Sequence, residues 1–268
     1  MSEWWTYRLY DFLLFTPRTY YRLFELYNAA VWPAQIAVVA LGLWLVWICA
    51  RAPLTPSLSP RASGGRGGGE GRRGAGGVGT APTVATWILG TVWLWTGIAF
   101  LGTRYAKINF AAKYAAWAFV VEAGLLAWTA IRGAFDPPAG AIGRAGVGIV
   151  LFAVLIEPLA APLLGRPLRQ VELFGLAPDP TAVATLGALL ALRPRRRWLL
   201  MIVPMLWCAM TGLTLLAMSA KDWWMAPAAV LLGIALALSS RAKRGTPLAD
   251  GRPVNTDGGG ERGPSFVA

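Results

Sequence analysis

The sequence predicts an all-α protein, a polytopic membrane helix bundle with about seven transmembrane helices preceded by an interfacial N-terminal helix. The chain of 268 residues is 56% hydrophobic and only 14% charged. Its longest apolar runs reach the ~20 residues that a helix needs to cross the hydrocarbon core of a bilayer. The Lys and Arg residues lie between these runs and not on one basic face. We therefore expect the lipid bilayer as a partner and no nucleic acid, in spite of a net charge of +12.

The N-terminal segment, residues 1–29, combines ten aromatic residues with Arg, Asp and Glu. Aromatic rings and the long stems of Arg are stable at the boundary between lipid and water. This composition predicts an interfacial helix that is broken at Pro17. The alternative is a surface on which a protein partner docks.

Composition divides the rest of the chain into four further parts. A first transmembrane helix is predicted within residues 30–51, and the remaining helices of the bundle within residues 83–240. Between them, residues 52–82 are mostly Pro, Gly, Ser and Arg, and such a segment cannot bury a core, so it is predicted to be a disordered insert. The tail, residues 241–268, is also polar and rich in Gly and is predicted to be disordered. The apolar segments of the bundle are expected at about 83–102, 114–134, 145–164 and 223–240, with a helical hairpin at 173–216.

The hairpin begins at a Pro-Asp-Pro corner. Asp179 is expected to be the N-cap and Pro180 the first residue of a helix, where a missing amide costs no hydrogen bond. A helix from Pro180 to Leu192 rises roughly 20 Å, less than the ~30 Å of the hydrocarbon core. Either the segment 173–177 completes the crossing, or the helix is re-entrant. The Arg-rich turn that follows, residues 193–197, is predicted to be cytoplasmic on either interpretation.

Basic residues usually accumulate on the cytoplasmic side of a membrane protein. With seven spans, one side holds 16 of the 25 Lys and Arg residues, which places the N-terminus outside and the C-terminus in the cytoplasm. With a re-entrant helix and six spans, one side holds 17 of the 25 and both termini are cytoplasmic. Charge alone does not separate these two topologies.

Several short pieces of the chain resemble an uncharacterised family of bacterial multi-pass membrane proteins, a family with a domain of unknown function. They include YNAAVWPAQ at 27–35, YAKINFAAKYA at 105–115 and FGLAPDPTAVATLGALLAL at 174–192. The similarity extends over nearly the whole chain apart from the insert and the tail. It implies about seven apolar segments, and so favours a bacterial inner-membrane protein with an outer N-terminus. It implies no activity, substrate or cofactor.

Two glutamates are candidates for an intramembrane polar site. Glu122 lies in the middle of the third span, where an ionised carboxylate is costly unless it is paired or faces water. It is either an ion- or proton-coupling group or a protonated acid that bonds to a neighbouring helix. Glu157 precedes Pro158 near the end of the fourth span, where we favour a structural, snorkelling role. The two lie at different depths, which argues against a catalytic or metal-binding carboxylate pair.

The Pro-Asp-Pro corner and one loop give two more candidates. Asp179 and the adjacent amides could face a cavity, as in the discontinuous helices of transporters, although an N-cap is the simpler interpretation. Asn109 could join Asp179 from a loop on the same side. Small residues also recur at spacings of four, and we interpret them as helix-packing positions. These small residues are Gly187, Ala191, Ala229, Gly233 and Ala237.

No catalytic residue, cofactor or metal site is predicted. The chain has no His, and its two cysteines, Cys49 and Cys208, lie in apolar runs without metal-binding spacing. Our hypothesis is a non-enzymatic membrane protein that permits a small solute or ion to permeate through a cavity near Glu122 and Asp179. The alternative is a membrane scaffold or assembly subunit that docks a partner through its N-terminal segment. The sequence does not determine whether the protein forms a homo-oligomer.

Overall fold

The computed structural model describes residues 8–51, 80–136 and 140–245, and in these ranges the fold is a bundle of α-helices. The helices, in chain order, are α1 (Pro17–Ala30), α2 (Ala34–Arg51), α3 (Thr80–Trp95), α4 (Ala112–Arg132), α5 (Ala141–Leu151), α6 (Glu157–Leu163), α7 (Pro178–Leu192), α8 (Arg197–Ala217) and α9 (Met225–Gly245). Two π-helical segments extend them. Thr96–Gly102 continues α3, and Phe152–Ile156 joins α5 to α6.

The connections lie at alternate ends of the bundle. At one end, the α4–α5 connection pairs with the α7–α8 turn, because the amide of Asp136 donates to the carbonyl of Arg193 (2.9 Å) and that of Arg195 donates to Ala134 (3.1 Å). We call this the arginine end. At the other end, Arg166 of the α6–α7 loop forms an ion pair with Asp222 of the α8–α9 loop. We call this the cavity end, and α7 runs from it to the arginine end.

Five helical segments are long and apolar enough to cross a membrane. They are Ala34–Arg51, Thr80–Lys107, Ala112–Arg132, Ala141–Leu163 and Arg197–Ala217. Two shorter apolar helices, Pro178–Leu192 and Met225–Ser239, complete the set. The predicted apolar segments therefore all form helices, and the helix after the Pro-Asp-Pro corner is short, as predicted.

Helix α7 is the centre of the bundle. Each of its 15 residues is buried, and it contacts α2, α3, α5, α8 and α9. Its closest neighbour is α5, because a Cβ atom added to Gly187 would lie 2.6 Å from the carbonyl oxygen of Gly146. The two backbones touch at this crossing, which only glycine permits on both sides. The packing role predicted for Gly187 is therefore confirmed, and on α9 Ala229 and Ala237 are also buried.

The N-terminal segment differs from its prediction. Pro17 does not break a helix but begins α1, and Thr16 caps it by accepting a hydrogen bond from the amide of Thr19 (3.2 Å). Proline is tolerated in a first turn because its missing amide is not needed there. One face of α1 is buried, and the ring of Phe24 stacks on that of Phe100 with 5.0 Å between centroids. These aromatic residues belong to the core of the bundle.

Three boundaries also differ. Helix α2 begins at Ala34, four residues after the predicted start, because residues 31–33 form the turn that follows α1. Helix α3 begins at Thr80, so the last three residues of the predicted insert are helical. Helix α9 continues to Gly245, five residues into the predicted tail, since no Gly or Pro lies between Ser240 and that residue. The rest of the insert and tail, 52–79 and 246–268, lies outside the described residues.

Candidate functional site

An acidic cavity lies at the cavity end of the bundle, where α6, α7, α8 and α9 meet the α6–α7 loop. Its volume is about 30 Å³, which is enough for one or two water molecules. The charged residues that line it are Glu157, Arg166, Glu172, Asp179 and Asp222. Small and apolar side chains such as Ala160, Ala161 and Leu215 form the rest of the wall. Four carboxyl groups thus share this space with one guanidinium group.

Asp179 is held in the first turn of α7. The N-cap of this helix is Ala177, so the prediction that Asp179 caps the helix is wrong. The helix begins at Pro178, one proline earlier than expected, and this leaves the Asp179 side chain free to face α8. Its Oδ1 atom accepts hydrogen bonds from Nε1 of Trp207 (2.6 Å) and Oγ1 of Thr211 (2.9 Å). The positive end of the helix dipole also favours a carboxylate here.

Arg166 joins three separate parts of the chain. Its Nη2 atom lies 2.6 Å from Oδ2 of Asp222, and Nη1 lies 3.6 Å from Oε1 of Glu172. Its guanidinium group also covers the ring of Tyr21 in α1, with 4.6 Å between Cζ and the ring centroid. Its three contacts tie α1, the α6–α7 loop and the α8–α9 loop together. Arg166 thus forms part of the cavity wall.

Glu157 is turned inward. Its Oε2 atom is buried and has no hydrogen-bond partner in the part of the chain that the structure describes. Asp179, Glu172 and Asp222 are close enough to act on it electrostatically. The predicted snorkelling role is therefore wrong. The π-helical segment and Pro158 interrupt the regular helix around this residue, and such interruptions redirect the side chains that follow.

Glu172 lies in the α6–α7 loop and is the most clearly perturbed acid outside the helices. Burial raises its pKa from 4.5 to about 8, and the negative charge of Asp179 acts in the same direction. Arg166 opposes both effects by stabilising the ionised form. Burial and the charge of Asp179 therefore favour the protonated form of Glu172.

The other two candidates lie elsewhere. Glu122 is fully buried in α4 and does not line the cavity, so the prediction of one cavity near Glu122 and Asp179 is wrong for Glu122. Neither of its carboxyl oxygens has a hydrogen-bond partner among the described residues, and the predicted bond to a neighbouring helix is not formed. The Oδ1 atom of Asn109 accepts a hydrogen bond from the amide of Ala111 (3.0 Å). Asn109 thus shapes the turn before α4 and does not meet Asp179.

Sequence reasoning missed Arg166, Glu172 and Asp222, and also the two donors on α8. The three charged residues lie in loops, and a charged loop residue normally faces water, so nothing in the sequence marked them as buried. The sequence did contain one signal that these residues lie close to each other. The seven-span topology places the loops 164–177 and 218–224 on the same side as Asp179, which predicts that their charged residues are neighbours.

The acids of the cavity do not form a metal site. Across residues 8–51, 80–136 and 140–245, no group of three or more His, Cys, Asp and Glu residues could hold a metal ion. The cavity has instead the composition of a site that exchanges protons, since it joins several carboxyl groups, one Arg and space for water. The carboxyl groups confined in this space oppose one another's ionisation, because like charges repel.

The fold and the site together define the class of protein. It is an all-helical protein with five helices apolar enough to cross a membrane and with an acidic cavity at one end of the bundle. Residues 79–246 match the model of a family of unknown function (DUF6064), and the chain belongs to this family. The match includes α3 to α9 and every residue that lines the cavity. No curated protein and no solved structure matches the chain. The resemblance to an uncharacterised family is confirmed, while residues 27–35, which contributed to it, lie outside the matched range.

Proposed function

We propose that this chain is a seven-span bacterial inner-membrane protein in which the acidic cavity takes up and releases protons during ion permeation. The observation that carries the proposal is the group of four carboxyl groups around one arginine in a cavity of about 30 Å³. Ionisable residues inside membrane bundles usually mark proton relays or ion pathways. The cavity is too small for an organic solute, so we narrow the expected permeant to protons or other small ions.

Seven spans fit the bundle better than six with a re-entrant helix. A re-entrant α7 would have both ends at one side of the bundle, whereas α7 begins at the cavity end and finishes at the arginine end. Five helices surround α7, so the irregular backbone before it is enclosed by protein. Irregular backbone is tolerated at membrane depth only when protein or a water-filled cavity covers it.

We infer the orientation of the protein in the membrane from the basic residues at the arginine end. Arg51, Arg132 and Arg144 lie there together with the arginines of the turn 193–197. Basic residues next to the ends of transmembrane helices are retained on the cytoplasmic side. The arginine end is then cytoplasmic, and the cavity opens toward the outside.

The confinement of the four carboxyl groups in the acidic cavity favours proton binding. Four ionised carboxylates and one guanidinium group would leave a net charge of about −3 in a buried space, which electrostatic repulsion and loss of hydration both oppose. Some of the acids therefore hold protons, and the water molecules that the cavity can contain provide a route for exchange. The second half of α7, residues 186–192, is buried and apolar, so transfer to the cytoplasmic side requires a rearrangement of α7 against its neighbours.

Proton flux into liposomes tests the proposal. Purified protein is reconstituted with a pH-sensitive dye inside, and a potassium gradient with valinomycin drives proton entry. We expect flux from the wild type and a loss of flux from Asp179→Asn, which keeps an acceptor for Trp207 and Thr211 but cannot ionise. The control is Glu25→Gln, because Glu25 is ion-paired with Arg22 on α1 and does not line the cavity. Equal flux from Asp179→Asn and the wild type would contradict the proposal.

Topology is tested separately by labelling. A cysteine is placed at Ser2 in a background with Cys49→Ala and Cys208→Ala, and intact cells are treated with a thiol reagent that does not cross membranes. We expect labelling without permeabilisation. Labelling only after permeabilisation would support the six-span topology with both termini inside.

The alternative function, a scaffold that docks a partner through its N-terminal segment, has less support. It depended on the aromatic residues of residues 1–29, and Tyr20, Phe24 and Tyr27 are buried inside this protein. Tyr10 and Leu14 are exposed side chains of this segment and are still accessible to a partner. A pull-down from native membranes with the double variant Tyr10→Ser/Leu14→Ser tests the scaffold function. Loss of a captured protein in this variant would favour the scaffold.

A further inference from the structure

A second cavity lies at the arginine end of the bundle and has no role in the proposed proton site. Its volume is about 350 Å³, within the range of about 300–1,000 Å³ that holds small molecules. Trp128 and Arg132 of α4 line it, together with Arg195 and Arg196 of the turn before α8. We call it the arginine pocket.

The backbone holds the arginine pocket in shape. The last turn of α4 supplies Trp128 and Arg132, and the α7–α8 turn supplies the other two arginines. The two backbone hydrogen bonds between residues 134–136 and 193–195 clamp these segments together. At the end of each helix, a residue in the left-handed conformation reverses the chain, Gly133 after α4 and Arg193 after α7. The three guanidinium groups are therefore brought together by the fold before any ligand binds.

The chemistry of the pocket is that of an anion site. The Cζ atom of Arg196 lies 4.7 Å above the ring of Trp128, and that of Arg132 lies 5.6 Å from the same ring. Arg195 lies 3.7 Å from the carboxylate of Asp136, so one negative charge partly offsets three positive ones. Guanidinium groups match the oxygens of phosphate with two parallel hydrogen bonds, which makes arginine the preferred residue for phosphate groups.

Exposed apolar side chains lie close in sequence to the residues of the pocket. Ile131, next to Arg132, is 70% exposed, and Leu199, one turn into α8, is 40% exposed. In the proposed orientation these side chains contact acyl chains, while the arginines lie at the level of lipid headgroups in the cytoplasmic leaflet. Basic pockets between helices on the cytoplasmic side are suited to anionic lipid headgroups.

We propose that the arginine pocket binds the phosphodiester headgroup of an anionic phospholipid from the cytoplasmic leaflet. The inference rests on the membrane residence and orientation proposed above and does not depend on the proton site. A headgroup at this position would join the end of α4 to the start of α8. It would thus stabilise the α7–α8 hairpin that carries the cavity at its other end.

Native mass spectrometry of the full chain in an uncharged detergent tests the inference. The protein is titrated with phosphatidylglycerol and, separately, with phosphatidylcholine of the same acyl chains. We expect tighter binding of phosphatidylglycerol, and an affinity about 30-fold lower in Arg132→Gln/Arg196→Gln, since the two arginines together contribute about 2 kcal/mol. The matched control is Arg144→Gln, an exposed arginine at the same end that does not line the pocket.

The outcomes separate the possible ligands. Unchanged phosphatidylglycerol affinity in the double variant, or equal affinity for the two lipids, would overturn the inference. So would displacement of phosphatidylglycerol by millimolar inorganic phosphate, because the pocket would then be a site for free phosphate. If the double variant does not fold, the single variants Arg132→Gln and Arg196→Gln give the same comparison with a smaller loss.

Membrane residence is checked first on the same preparation. Release of the chain from membranes by alkaline carbonate would overturn the proposed residence and this inference together. A chain that remains in the membrane but shows no lipid preference would overturn the inference alone. Proton flux measured in liposomes of phosphatidylcholine tests the acidic cavity independently of the arginine pocket.

Discussion

Asp179 and Glu122 are both carboxylic acids buried in helices, and their surroundings are opposite. Asp179 accepts two hydrogen bonds from α8 and lines a cavity with room for water. Glu122 is completely enclosed and has no hydrogen-bond partner among the described residues. Burial of an acid in an apolar segment therefore does not by itself indicate a functional group, and the partners of the acid decide its role.

The physical difference begins with position along the helix. Asp179 lies in the first turn of α7, where the helix dipole favours a negative charge. Glu122 lies in the middle of α4, where each backbone group is already used within the helix. Its neighbours are apolar, and Ala123 and Leu126 are buried beside it. No hydrogen-bond donor among the described residues stabilises an ionised carboxylate there, so Glu122 contributes an uncompensated cost of burial.

The largest effect that we expect from this comparison is that of Asp179→Leu. It leaves two buried donors, on Trp207 and Thr211, without an acceptor, at a cost of about 1–3 kcal/mol each. The free energy of unfolding in detergent should fall by about 2–6 kcal/mol, as measured by thermal or chemical unfolding. Asp179→Asn is the control and should cost much less. A change below 1 kcal/mol in the Leu variant would show that Asp179 is not the acceptor described above.

The next effect is that of Trp207→Phe, which removes one donor and keeps an aromatic ring. The ring should preserve the perpendicular contact with Phe119, whose centroid lies 5.1 Å from that of Trp207. A hydrogen bond to a charged group contributes about 1.5–3 kcal/mol, so we expect a loss of about 2 kcal/mol by the same unfolding measurement. Trp224→Phe, at a position that is 54% exposed, should stay within about 0.5 kcal/mol. Equal effects of the two substitutions would argue against a specific role for Trp207.

Glu122→Leu should change stability in the opposite direction. The substitution replaces an unpaired buried carboxyl with an apolar side chain of similar size and leaves no partner unsatisfied. Removal of such a group stabilises a protein by about 1 kcal/mol or more. We expect a higher melting temperature for the Leu variant, and Glu122→Gln should show no such gain. A loss of stability in the Leu variant would reveal a partner for Glu122 and would remove the contrast with Asp179.

The last effect concerns the dependence of stability on pH, to which Glu172 contributes. The pKa of this group is about 8 in the folded chain, above its ordinary value of 4.5, so the folded state binds the proton more tightly than the unfolded state does. Its contribution to stability is complete below about pH 4.5 and is lost as the pH rises to about 8. The melting temperature should therefore fall as the pH rises through this interval. Glu172→Gln should remove this part of the pH dependence, and an unchanged slope would assign it to another group.

Much of the fold could be predicted from local sequence. Seven apolar segments appear because each helix must present a long apolar surface, and that requirement is visible in consecutive residues. The short helix after the Pro-Asp-Pro corner and the packing role of Gly187 were predicted for the same reason, since proline and glycine act on the backbone next to them. The boundaries at Thr80 and Gly245 were missed by a few residues, because helix ends depend on weak local preferences.

The candidate site was predicted less well, and the reason is distance along the chain. Asp179 was singled out from its own flanking prolines, but its donors lie 28 and 32 residues away. Arg166 meets Asp222 across 56 residues, and no pattern in a single sequence reports such a pairing. The inward direction of Glu157 and the isolation of Glu122 also depend on which helices become neighbours.

The sequence by itself determined an all-helical chain with several membrane-length apolar helices, a basic turn at residues 193–197 and a helix start at the Pro-Asp-Pro corner. These follow from side-chain hydropathy and backbone restrictions, which act over a few residues. Only the tertiary structure decided that Glu157, Asp179 and Asp222 share one cavity, that Glu122 does not, and that the aromatic face of α1 belongs to the core. Those outcomes depend on packing, because the free energy of a buried polar group is set by the groups that the fold brings into contact with it.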